Sequence, residues 1–110
     1  MMPATAVQVT LYLNEGDEYK GRPLHLQILK CLQEEKIENA MVFHAVAGFV
    51  GGSRIKTATL VDAGGKLPLM LIFVDEAQHI ERVLPRIREM IGRRMMAREN
   101  VTVETGAERA

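Results

Sequence analysis

The sequence predicts an α+β sandwich: one antiparallel sheet with two helices on one of its faces. Three observations predict it. Apolar residues alternate at strand spacing near the start of the chain, and two later stretches carry them at helical spacing. The elements then fall in the order strand, helix, strand, strand, helix, strand. Two β-α-β halves in that order interleave into one split β-α-β sheet.

The first strand is Val7 to Leu13. Val7, Val9, Leu11 and Leu13 point one way, and Gln8, Thr10 and Tyr12 the other. Asn14-Glu15-Gly16-Asp17-Glu18 ends it as a turn, and its acids read as a solvated loop. Pro23 suits the first turn of a helix, where a missing N–H costs little. Leu24, Ile28, Leu29 and Leu32 continue the helix to about residue 35. The second strand is Ala40 to Ala47, with Met41 and Phe43 on one face and Val42 and Val46 on the other. The third, Leu67 to Val74, is also apolar on both faces, and Pro68 fits only at its start. Asp75-Glu76 marks the second helix start, because acids favour that end of the dipole. Ile80, Val83, Leu84, Ile87, Met90 and Ile91 form its stripe, and Gly92 ends it. Pro85 falls inside this stripe and is expected to kink the helix. Val101 to Glu104 is the expected final strand.

The chain has 110 residues, enough for one domain with its own core. Lys plus Arg and Asp plus Glu both number 14, a balance that argues against a general nucleic-acid binder. The single Cys31 cannot form an internal disulfide and reads as a small apolar helix residue. No apolar run approaches the roughly 18 residues of a membrane span, and no signal peptide is evident, so a soluble cytoplasmic protein is expected. One wet sheet face should produce alternation. The second and third strands do not alternate, so a second copy is expected to cover that face in a closed homo-oligomer.

The most suggestive loop is Gly48-Phe49-Val50-Gly51-Gly52-Ser53-Arg54-Ile55-Lys56. Its glycines free the backbone for positive φ and close approach, while Arg54 and Lys56 supply charge. That combination suits an anionic guest; it also suits an ordinary hairpin loop with solvating charges. Arg82, Arg86, Arg88, Arg93, Arg94 and Arg98 form the densest basic run. The first three read as complements to a helix C-terminus, and the last three stand equally well as an anion site. His25, His44 and His79 lack metal-ligand spacing. His44 reads as a hydrogen-bonded interface residue, and His25 and His79 as surface groups. Met41, Met70 and Met90 lie on core-like stripes, and Met95-Met96 suggests contact with a neighbouring subunit.

Four motifs in order resemble the nitrogen-regulatory PII superfamily, and more closely its PII-like branch, the domain of unknown function 190 family. They are Glu15 with Gly21-Arg22-Pro23-Leu24, Gly48-Phe49, Ser53-Arg54-Ile55-Lys56-Thr57, and Leu67-Pro68 with Val74-Asp75. The resemblance covers residues 7–104 of a single 1–110 domain and implies a ferredoxin-like βαββαβ sandwich with a long T-loop-like segment, 48–66. It implies a homotrimer that binds AMP, ADP or ATP as an effector in clefts between subunits. It also implies a regulatory rather than enzymatic role, in which the loop engages a partner enzyme, transporter or channel. Carried onto this chain, the ligand residues are Gly48, Phe49, Gly51, Gly52, Ser53, Arg54 and Lys56, joined by Arg93 and Arg94. The chain departs from PII where Gly92-Arg93-Arg94-Met95-Met96-Ala97-Arg98 replaces a Gly-Asp-Gly-Lys phosphate loop, and at Glu104-Thr105-Gly106, where an arginine pair is usual. These departures point away from ATP bound in the PII manner, toward a nucleotide with fewer phosphates or no nucleotide at all. Two other readings share the architecture: a trimeric divalent-metal-binding protein of the cation-tolerance type, and a structural subunit with no ligand.

Overall fold

The computed structural model describes residues 4–60 and 66–107, without the Leu60 side chain. Eight strands, two α-helices and one 3-10 turn follow one another along them. β1 (Thr5–Asn14) is followed by a small hairpin of β2 (Glu18–Tyr19) and β3 (Arg22–Pro23), then by α1 (Leu24–Glu34) and β4 (Asn39–His44). A second hairpin of β5 (Ala47–Gly48) and β6 (Lys56–Thr57) leads through a 3-10 turn (Ala58–Leu60). β7 (Pro68–Asp75), α2 (Ala77–Ile91) and β8 (Met96–Thr102) complete the fold. The main sheet has the order β4-β7-β1-β8, antiparallel throughout. This is the expected α+β sandwich.

The core forms where the two helices lie on one sheet face. Val7, Val9, Leu11 and Leu13 of β1 meet Leu69, Leu71 and Phe73 of β7 from below. Leu24, Ile28 and Leu32 of α1 and Ile80, Val83, Leu84, Ile87 and Ile91 of α2 close it from above. Cys31 joins this core, as its helical spacing requires. Burial disfavours its thiolate and raises its pKa, outweighing the Arg86 guanidinium, which acts to lower it.

The opposite face carries paired rows of side chains. Met41 lies across from Ile72, which faces Thr10, and Phe43 lies across from Met70, which faces Tyr12. Met41 is 57% exposed and Phe43 47% exposed. Met41 is therefore not a core residue, contrary to expectation, and Met70 is only half-buried; both belong to this uncovered face. Met90 does pack against the core.

Three further expectations are corrected, and α2 runs on past Pro85. Pro85 and Glu81, whose carbonyl loses its helical donor there, are both exposed, so water can take the missing bond. The last strand begins at Met96, not Val101, because Leu11 pairs with Met96 and Val9 with Arg98 from the first residues after the turn. The second strand stops at His44, where Ala45 N–H turns to the Pro68 carbonyl at 2.9 Å, and pairing resumes in the β5–β6 hairpin. His79 is not a surface group: its Nδ1 lies 3.2 Å from Asp75 Oδ2, and its Nε2 faces the Glu35 carbonyl. Among the described residues, no helix is long and apolar enough to cross a membrane.

Candidate nucleotide-binding site

The antiparallel register brings the end of β1, the β5–β6 hairpin and the start of β8 to one end of the sheet. Tyr12 N–H donates to the Met95 carbonyl at 3.1 Å, which carries the α2–β8 turn to β1. Ala58 N–H donates to the Val46 carbonyl at 2.8 Å, which holds the second hairpin closed. Between them lies a cavity of about 680 Å³, bounded by Tyr12, Asn14, Phe49, Val50, Gly51, Arg93, Arg94 and Met95. Tyr12, Phe49, Val50 and Met95 make it largely apolar, and the two arginines give one side positive charge. A smaller cavity of about 300 Å³ adjoins it, sharing Tyr12, Phe49 and Val50 and extending to Phe43 and His44.

The hairpin tip has defined geometry. Gly51 and Gly52 have φ of 66° and 70°, the left-handed values that both central residues of a type I′ turn require. Ser53 closes the turn, with its N–H at 3.3 Å and its hydroxyl at 2.8 Å from the Val50 carbonyl, to which both donate. A Cβ on either glycine would meet no atom within 4 Å, so the backbone angle alone calls for glycine there.

The two arginines differ. Arg94 Nε donates to Asp17 Oδ2 at 2.9 Å, and Arg94 Nη1 donates to the Ile91 carbonyl at 3.1 Å. The same Asp17 oxygen accepts the Asn14 N–H at 2.9 Å. Arg93 is exposed and, among the described residues, makes no ion pair. Arg98, once grouped with them, is drawn away along β8 to Glu81 at 2.7 Å. Arg86 lies on the helical side, bonded to Glu35 and Glu34, and those bonds hold its guanidinium pKa above the ordinary range.

Of the residues expected to bind a ligand, Phe49, Gly51, Arg93 and Arg94 line the larger cavity, and Gly48 lines the smaller one. Gly52, Ser53 and Arg54 are exposed on the hairpin and line neither; Lys56 pairs with Gly48 in the hairpin ladder. The rest of the 48–66 segment includes residues 61–65, which lie outside the described residues. Sequence reasoning missed Tyr12 and Asn14 as lining residues. Tyr12 carried a signal, since it stands on the polar face of an alternating strand and needs a partner for its ring. His44 is met by Glu15, with Nε2 and Oε2 2.9 Å apart, which ties the end of β4 to the turn after β1. Asp17 is an ion-pair partner rather than a freely solvated loop acid.

A family model described as DUF190, "Uncharacterized ACR", matches residues 6–103. A UPF0166 protein of Methanocaldococcus jannaschii is 32% identical over 81 residues, 74% of this chain and 74% of that protein. A UPF0166 protein of Aquifex aeolicus is 28% identical over 78 residues, 71% of this chain and 74% of that one. Among solved structures, the PII-like protein CPII of Thiomonas intermedia K12, bound to ADP and bicarbonate, superposes with a TM-score of 0.64. It is 12% identical, with 90% of this chain and 88% of that chain covered. The divalent ion tolerance protein CutA1 of Ehrlichia chaffeensis gives a TM-score of 0.55 at 11% identity, covering 94% of this chain and 85% of that one. These two likenesses concern the fold. With the family match spanning almost every element described above, the chain belongs to the DUF190 family and has a PII-like fold.

Proposed function

We propose that this chain is a PII-like regulatory protein that takes an adenine nucleotide or a similar anion in the cavity beside the β5–β6 hairpin. One observation carries the reading: Phe49 and Gly51 from the hairpin meet Tyr12, Met95 and the two arginines across a single 680 Å³ space. Apolar and aromatic walls suit a purine ring, and the Arg93 guanidinium, which makes no ion pair among the described residues, suits a phosphate. The ADP bound to CPII is in keeping with that ligand class.

Exposed Met41 and Phe43, in rows with half-buried Ile72, Met70 and Tyr12, favour burial against further copies of the chain, in a closed trimer. The cavity then becomes a cleft between subunits in the cytoplasm. Ligand contact biases the hairpin toward one conformation, and that hairpin engages a partner enzyme, transporter or channel.

Calorimetric titration with AMP, ADP, ATP and divalent metals tests this. Nucleotide binding is expected. Arg93→Ala should weaken it about tenfold to a hundredfold, as loss of a charge-assisted bond does. Arg54→Ala, outside the cavity, should weaken it far less. Metal heat alone would favour the cation-tolerance type, and silence to every probe would favour a ligand-free structural subunit.

A further inference from the structure

We infer that Asp17 sets how many phosphates the cavity accepts: by pairing with Arg94 it leaves Arg93 as the cavity's available cation, so a nucleoside monophosphate is preferred over a triphosphate. This rests on the nucleotide reading above and specifies its ligand. Asp17 is not a cavity-lining residue; it stands behind Arg94 and acts through it as a positioning residue.

The geometry fixes the pairing from both sides. Asp17 cannot swing away freely, because its Oδ2 also accepts the Asn14 N–H, its own N–H donates to the Asn14 carbonyl at 3.0 Å, and its carbonyl accepts Leu24 N–H at 2.8 Å. Arg94 is held at a second point by the Ile91 carbonyl at the end of α2. The Asp17 side chain is 17% exposed and that of Arg94 is 35% exposed, so water screens the pair only in part. Two arginines line the cavity, yet one of their charges is already neutralised at 2.9 Å. A ligand with a single phosphate carries the smallest excess of negative charge over that remaining cation. Each further phosphate adds negative charge near Asp17 without a new cation to receive it.

Asp17→Asn removes that charge and keeps a side-chain oxygen for the Asn14 N–H. Wild type and variant are titrated with AMP, ADP and ATP in metal-free buffer at fixed ionic strength, and thermal melting confirms that each is folded. Wild type should bind AMP more tightly than ATP. Asp17→Asn should raise ATP affinity about fivefold or more while changing AMP affinity less than about twofold. A merely structural role would shift both ligands together and leave their ratio unchanged. Should the single variant fail to fold, the wild-type series decides: affinity should fall stepwise from AMP to ADP to ATP. Equal or tighter binding of ATP than of AMP in the wild type, or an unchanged ATP-to-AMP ratio in Asp17→Asn, overturns the selectivity alone. Binding of no nucleotide by the wild type overturns the selectivity and the nucleotide reading together.

Discussion

Asp75 shows how much one side chain can hold. It ends β7 almost fully buried, and its two oxygens accept the Glu38 N–H at 3.0 Å and the Glu76 N–H at 2.7 Å. His79, one helical turn on, lies against the same carboxylate and reaches the Glu35 carbonyl beyond α1. The start of α2 is thereby fastened to the end of α1. His79→Ala should lower unfolding free energy by about 1–3 kcal/mol in urea titration, because it leaves buried partners unsatisfied. Cys31 should behave oppositely to a reactive thiol. At 2% exposure and with its pKa raised by burial, it should react with iodoacetamide at pH 8 at least about a hundredfold more slowly than in urea-unfolded chain. The sign for stability follows: the folded state holds the proton longer, so this contribution is present at neutral pH and falls as pH rises beyond the thiol's ordinary range. At this scale the sequence was partly legible. Asp75 could be placed at a helix start from its neighbours, and Cys31 in a core from its spacing. His79 could not be placed, because its partner at Glu35 lies on another element.

Among the elements, β1 and both helices were legible because their apolar periods are strong, and β4 and β7 as continuous apolar runs, whereas the breaks were not. Pro85 argues locally against a helix interior, yet five buried residues of α2 on the core side keep the helix running past it while water can serve the outer side. β8 is hard to read for the opposite reason: Ala97 through Asn100 are all exposed, so no apolar alternation announces the strand, and only pairing with β1 makes it one. The β5–β6 hairpin depends on its tip. Gly52→Val places a branched side chain at a φ of 70° and should cost about 1–2 kcal/mol locally. The expected result is increased amide exchange at Gly48 and Lys56 with little change in the melting temperature of the sheet. Phe73→Ala, in the middle of the core on β7, should instead destabilise the whole fold by about 3–5 kcal/mol in the same urea assay.

For the whole molecule, the order of elements and the two-sided apolar strands made the architecture legible from sequence. The cavity was less so. Its walls come from residues near 12, 50 and 94, which only the sheet register brings together. Glycines and cations could be recognised as candidates, but which cation remains available depends on Asp17, far from Arg94 along the chain. The uncovered face makes its own prediction. Phe43→Glu, on an exposed edge-strand position, should leave far-UV circular dichroism unchanged while shifting sedimentation toward the monomer. An unaltered assembly would mean that copies do not meet through this face. Finally, Thr5 pairs with Thr102, and Val7 with Asp75, at the pole opposite the cavity, where Asn14 meets Pro68. A fluorophore attached at the exposed Thr5 or Thr102 therefore sits on the far side of the sheet's length, an attachment point for watching ligand capture without obstructing it.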